Sequence, residues 1–87
     1  MKRVLYFSTT WCGPCKQFKP VVQQVSQETG VQVTYIDAEQ DPEMAKKYNI
    51  NSVPTIVIID PAGSILYRNA GVMQKGQLSQ MLRAMAI

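Results

Sequence analysis

The chain has 87 residues, a formal charge of +3, no histidine and two cysteines, enough for one small domain with a single modest core. A hydrophobic fraction of 46% against 17% charged excludes a disordered polymer, and no apolar run reaches membrane-spanning length. Basic residues are scattered from Lys2 to Arg83 without the stripe and interleaved aromatics of a nucleic-acid surface, so neither nucleic acid nor membrane is an expected partner.

Val4-Leu5-Tyr6-Phe7 is a short continuous apolar run, the pattern of a central strand buried on both faces. It begins almost at Met1, which leaves no room for a signal peptide, and the expectation is a cytoplasmic, monomeric domain over 1–87. The strand delivers the chain to Trp11-Cys12-Gly13-Pro14-Cys15-Lys16, which holds both cysteines. A structural zinc site needs four ligands, usually thiolate or imidazole, and no third cysteine or histidine is present to supply them. No metal or other cofactor is expected. The chemistry left to two thiols at this spacing is reversible closure to a Cys12–Cys15 disulfide. The competing reading is two small buried apolar side chains.

From Pro14 to about Glu28 the apolar residues Cys15, Phe18, Val22 and Val25 recur at helical spacing. Pro14 suits the first turn, Pro20 should kink the helix by clashing with the carbonyl of Lys16, and Thr29-Gly30 ends it. Lys16 and Lys19, about one turn from the cysteines, raise the local potential and favour a thiolate. The β-branched run from Val31 to Asp37 reads as a second strand, parallel to the first through a right-handed crossover. Asp41-Pro42-Glu43 is a helix start, and that helix is expected to run to about Tyr48. Thr55 to Ile59 reads as a buried strand, Asp60-Pro61-Ala62-Gly63 as a turn, and Ile65 to Ala70 as its hairpin partner. Leu78, Met81, Leu82 and Met85 mark the apolar stripe of a terminal helix, the methionines serving as core filler. The order is β-α-β-α-β-β-α: an α/β domain with a mixed four-stranded sheet and helices on both faces.

The chain resembles the thioredoxin family over nearly its whole length. The resemblance rests on Trp-Cys-Gly-Pro-Cys-Lys at 11 to 16, Pro20, Asp41-Pro42, Val53-Pro54-Thr55, Gly63, Gly71 and Lys75-Gly76-Gln77-Leu78. The first strand and helix of full-length members are missing, so the chain looks like a minimal core of glutaredoxin length. The resemblance implies a thioredoxin fold and a reductant of protein disulfides, served by a reductase of the thioredoxin reductase type. It also implies that Cys12, preceding the first helical turn, is the nucleophile, its thiolate favoured by unpaired backbone N–H groups and the helix dipole. Cys15, one turn in and expected to be less exposed, would resolve the mixed disulfide. An isolated X-Pro bond is cis in only about 5–6% of cases, so it is the resemblance that implies a cis Val53-Pro54 bond. It further implies that the Val53 backbone holds an extended substrate segment by strand-like hydrogen bonds, with Trp11, Gly13, Pro14, Pro54 and Gly71 as an apolar rim.

The sequence departs from the family at informative places. Members usually carry a buried aspartate six residues before the attacking cysteine, paired with a lysine on the neighbouring strand; those positions are Tyr6 and Tyr35. The double change is coherent, because removing one charge alone would leave the other buried and unpaired at a cost of about 3–5 kcal/mol. The usual proton acceptor for the resolving thiol is thereby lost, leaving water or the freed Cys12 sulfur to act. Ser8 replaces a usual tryptophan, and Gln74 stands where a helix-capping serine is common. Two other functions compete with the reductase. One is a glutathione-coupled, glutaredoxin-like enzyme, favoured by length and disfavoured by Gly13-Pro14. The other is a binding module or accessory subunit in which the thiols are incidental.

Overall fold

The computed structural model describes residues 2–85; Met1, Ala86 and Ile87, the ends of the expected domain, lie outside the described residues. Strand β1 (Arg3–Ser8) leads into helix α1 (Gly13–Thr29), followed by β2 (Val33–Asp37), α2 (Pro42–Lys47), β3 (Thr55–Ile59), β4 (Ile65–Ala70) and α3 (Lys75–Ala84). One sheet results, in the order β2-β1-β3-β4. β1 and β2 are parallel, and β3 is antiparallel to both β1 and β4.

The continuous apolar run of β1 divides between two cores because successive strand residues point to opposite faces. Val4 and Tyr6, with Ile56 and Ile58 of β3, join Phe18, Val22 and Val25 of α1 and Leu78 and Leu82 of α3. Leu5 and Phe7, with Val57 and Ile59, join Ile36, Tyr48 and the α2 side chain Met44 on the other face. Helices α1 and α3 thus cover one face and α2 the other. Every residue of β3 is buried, as a central strand in such a sandwich must be.

Local chemistry sets the helix ends. Gly30 adopts φ 73° and donates its N–H to the Ser26 carbonyl, the left-handed cap that glycine tolerates without a Cβ clash. Asp41 caps α2, its side chain accepting from the Met44 N–H at 3.4 Å. α2 stops at Lys47, one residue short of the expected end, and the buried Tyr48 instead packs its ring on Phe7 at 6.2 Å. Pro20 lies inside α1 without ending it. Gln74 occupies the cap position of α3 with no side-chain bond to the first turn; Lys75 beside it pairs with Glu28 of α1 at 3.0 Å. β2 begins at Val33 rather than Val31, although Val31 is buried in the α1 core. Among the described residues, no helix is long and apolar enough to cross a membrane.

Candidate active site

Cys12 and Cys15 are joined as a disulfide, with Cα atoms 5.3 Å apart. The loop from β1 places Cys12 in an extended conformation at the cap of α1, and its Sγ accepts the Cys15 N–H at 3.1 Å. Three residues separate a cap from the backbone donor it satisfies, so the Cys-x-x-Cys spacing delivers both the disulfide and this bond. A thiolate formed at Cys12 inherits the same donor and the positive end of the α1 dipole.

Exposure does not separate the two cysteine residues as expected: Cys12 is 4% exposed and Cys15 3%. Both residues lie buried at the helix start in this disulfide form, and the asymmetry between them lies in hydrogen bonding instead. Gly13 and Pro14 are exposed beside them. Trp11 is 68% exposed, and its indole N–H donates to the Glu39 carboxylate.

The Val53-Pro54 bond is cis. Pro54 is buried rather than part of an exposed rim, because it runs straight into the central strand β3; Val53 is half-buried. The Pro54 carbonyl accepts the Gly71 N–H at 2.8 Å, and Gly71 sits at φ 103°, a region side chains with a Cβ rarely adopt. Trp11 and Val53 line a common open groove of about 510 Å³ whose other walls include Ala38, Ala45 and Ile50. Val72, next to Gly71, is an exposed apolar residue that the sequence reading did not single out. Glu39 was likewise missed. Its only sequence signal is its place just after β2, where strands of this sheet end beside the cysteine loop.

Tyr6 and Tyr35 are direct partners across β1 and β2, their rings meeting edge-on at 5.8 Å. The expectation of a buried pair holds for one member only. Tyr6 is fully buried and also packs on Phe18 at 5.9 Å, whereas Tyr35 is 40% exposed because β2 is an edge strand. Lys19 lies over the outer tyrosine, its Nζ 5.6 Å from the Tyr35 ring centre. The Tyr6 hydroxyl reaches the Cys15 carbonyl in a long 3.4 Å bond. Burial, with a smaller contribution from the neighbouring Tyr35, pushes the Tyr6 phenol up to about 12; burial also raises Tyr35.

The raised Tyr6 value has a consequence in alkali. Below pH 10 the phenol is protonated in both folded and unfolded chains, and its contribution to stability is complete. Between pH 10 and 12 the unfolded chain loses the proton first, so stability falls by about 1.4 kcal/mol per pH unit. Urea unfolding of the oxidised protein at pH 9 and 11.5 should show this loss, reduced in Tyr6→Phe. Equal losses in the two proteins would refute the assignment.

Lys16 and Lys19 are exposed and wall an open pocket of about 320 Å³ shared with Cys15 and Tyr35. Thr9, in the loop ahead of the cysteines, borders both this cavity and the Trp11 groove, and its buried hydroxyl has no hydrogen-bond partner. Among the described residues, no group of three or more histidine, cysteine, aspartate or glutamate side chains is placed to hold a metal ion.

The family model Thioredoxin matches residues 1–84. A thioredoxin-like protein of Synechocystis is 39% identical over 79 residues, spanning 88% of this chain and 74% of that protein. A bifunctional thioredoxin reductase/thioredoxin of Mycobacterium leprae is 35% identical over 74 residues, which are 83% of this chain and 16% of the fusion. Among solved structures, a mutant thioredoxin from Halobacterium salinarum superposes with a TM-score of 0.86 at 26% identity, covering 95% of this chain and 73% of the other.

Proposed function

The chain belongs to the thioredoxin family and is a thiol-disulfide oxidoreductase working through its Cys12–Cys15 pair; on that premise we propose that Cys12 is the attacking sulfur and Cys15 the resolving one. The observation that carries this division is the Cys15 N–H directed at the Cys12 Sγ at the start of α1. A donor aimed at one sulfur only stabilises negative charge on that sulfur. Lys16 and Lys19 add a diffuse positive potential, weakened by solvent because both are exposed.

In the reaction, the Cys12 thiolate attacks a substrate disulfide, expelling one substrate thiolate and forming a mixed disulfide. The Cys15 thiol gives up its proton and attacks the Cys12 sulfur, expelling the second substrate thiolate and closing the Cys12–Cys15 disulfide. Two electrons pass from the dithiol to the substrate. An extended substrate segment is held against the Val53 backbone by strand-like hydrogen bonds. Its apolar side chains are met by Trp11 and the groove beside it, with Gly13, Pro14 and Gly71 leaving the approach open and Val72 flanking it. Buried Pro54 serves as the floor of this surface.

The oxidised pair must be reduced again. The family generally draws on thioredoxin reductase, and in the Mycobacterium leprae relative the two activities share one chain. The electron donor proposed for this protein is of that type, and the setting a reducing compartment, the cytoplasm. Insulin reduction should therefore be sustained several-fold faster by a thioredoxin reductase with NADPH than by glutathione with its own reductase. The reverse preference would favour a glutaredoxin-like enzyme, and turnover with neither donor would favour a binding module.

A further inference from the structure

Tyr6 and Tyr35 remove the carboxylate that would take the resolving proton, yet another carboxylate, that of Asp37, lines a pocket with Cys15. Side chains alternate along paired strands. Ser8 and Asp37, register partners two residues beyond Tyr6 and Tyr35, therefore project to the same side of the sheet as those tyrosines, the side covered by α1. Together with Tyr35, Ser8 and Asp37 form the sheet wall of the 320 Å³ cavity, while Cys15, Lys16 and Lys19 form its helix wall. Such a volume holds several waters, each needing only about 30 Å³, and the hydroxyls and charges around it give them partners.

The geometry points to Asp37 as the residue that receives the Cys15 proton, relayed by water across this cavity. This rests on the assignment of Cys15 as the resolving thiol. The Asp37 side chain is held in place: its Oδ1 accepts the N–H groups of Glu39 at 2.9 Å and Gln40 at 3.2 Å. That anchoring engages one carboxylate oxygen in the turn, and the residue itself lines the pocket. Lys16 and Lys19 face the same space from α1 and favour a thiolate there, Tyr35 borders it from β2, and the Tyr6 hydroxyl donates to the Cys15 carbonyl rather than to its sulfur. The phenols are poor acceptors near neutrality, since their reference pKa is about 10. The step balances: the Cys15 proton moves through water to Asp37, the Cys15 sulfur bonds to the Cys12 sulfur, and the substrate sulfur leaves as thiolate, to be protonated from Asp37 or solvent.

Asp37→Asn tests this, because the amide oxygen still accepts the two turn N–H groups while the proton acceptor is gone. Asp37→Ser, which also supports such a turn, serves if the first variant does not fold. Acid quenching after rapid mixing with a disulfide peptide separates formation of the Cys12 mixed disulfide from its decay. Formation should be unchanged. Decay should slow at least about tenfold at pH 7, short of the roughly 10²–10⁴ that a directly positioned base supplies because solvent water remains as a weaker acceptor. The difference should shrink toward pH 9, as hydroxide increasingly competes with the carboxylate for the proton. An unchanged decay, or the same slowing at every pH, overturns the role of Asp37. Failure of the underlying division of labour reads differently, as a mixed disulfide found on Cys15.

Discussion

Cys12→Ser should reduce disulfide reduction to background, a loss of at least about 10³ by comparison with other enzymes stripped of their nucleophile, while Cys15→Ser should still capture substrate and then stall. The hydroxyl at position 12 accepts the same backbone N–H that Cys12 accepts at 3.1 Å, and serine is a good helix cap. Loss of activity in that variant is therefore loss of the nucleophile and not of the helix start. With serine at position 15 the mixed disulfide on Cys12 has no internal thiol to displace it, so substrate proteins should accumulate as bands released by reductant on non-reducing gels. The reduced wild type offers an independent check. Alkylation near neutral pH should label Cys12 ahead of Cys15, because the helix-start donor favours its thiolate. Faster labelling of Cys15 would reverse the roles.

The largest stability effect is expected from Tyr6→Asp, which restores the acid usual in the family without its partner. Tyr6 is fully buried between the Phe18 and Tyr35 rings. An aspartate there loses both ring contacts and buries a carboxylate without a paired cation, for about 3–5 kcal/mol of destabilisation. That is a large part of the stability of an ordinary small domain, about 5–15 kcal/mol. Desolvation raises the pKa of such an acid in the folded state above its unfolded value. The charge penalty is therefore absent below the unfolded pKa of about 3.9 and grows as pH rises beyond it. Urea denaturation of Tyr6→Asp at pH 4 and pH 7 should find the deficit greater at pH 7; a deficit independent of pH would mean the carboxylate reaches solvent. Adding Tyr35→Lys should restore only part of the loss. Position 35 is 40% exposed on the edge strand, and a lysine there can turn its ammonium to water instead of pairing inward.

Helix starts, turn residues and strand periodicity are local, and they were legible. The strand limits Thr55–Ile59 and Ile65–Ala70 coincide with the apolar run and its hairpin partner, because a turn of Asp60-Pro61-Ala62-Gly63 leaves the chain few other routes. The redox pair was equally plain: two cysteines at a helix start, with no histidine or third cysteine to make them anything else. The ends of α1 and α2 were legible to within a residue or so, since Pro14, Gly30, Asp41 and Pro42 act on the backbone next to them.

What lay beyond the sequence was whatever depends on which strand ends up at an edge and which residues, remote in the chain, share a space. The β-branched run of β2 is as compatible with a central position as with an edge; only the order β2-β1-β3-β4 leaves it with one neighbour, exposing Tyr35 while its register partner Tyr6 is sealed beneath α1. Cys12 and Cys15 looked unequal in exposure from their positions, but both residues are buried at the helix start in the disulfide form. Ser8, Cys15, Lys19 and Asp37 come from one helix and two strands and meet around a single cavity. Local composition carries no record of that meeting, because it is created when parallel register sets Ser8 beside Asp37 and the α1 core packs the helix over both.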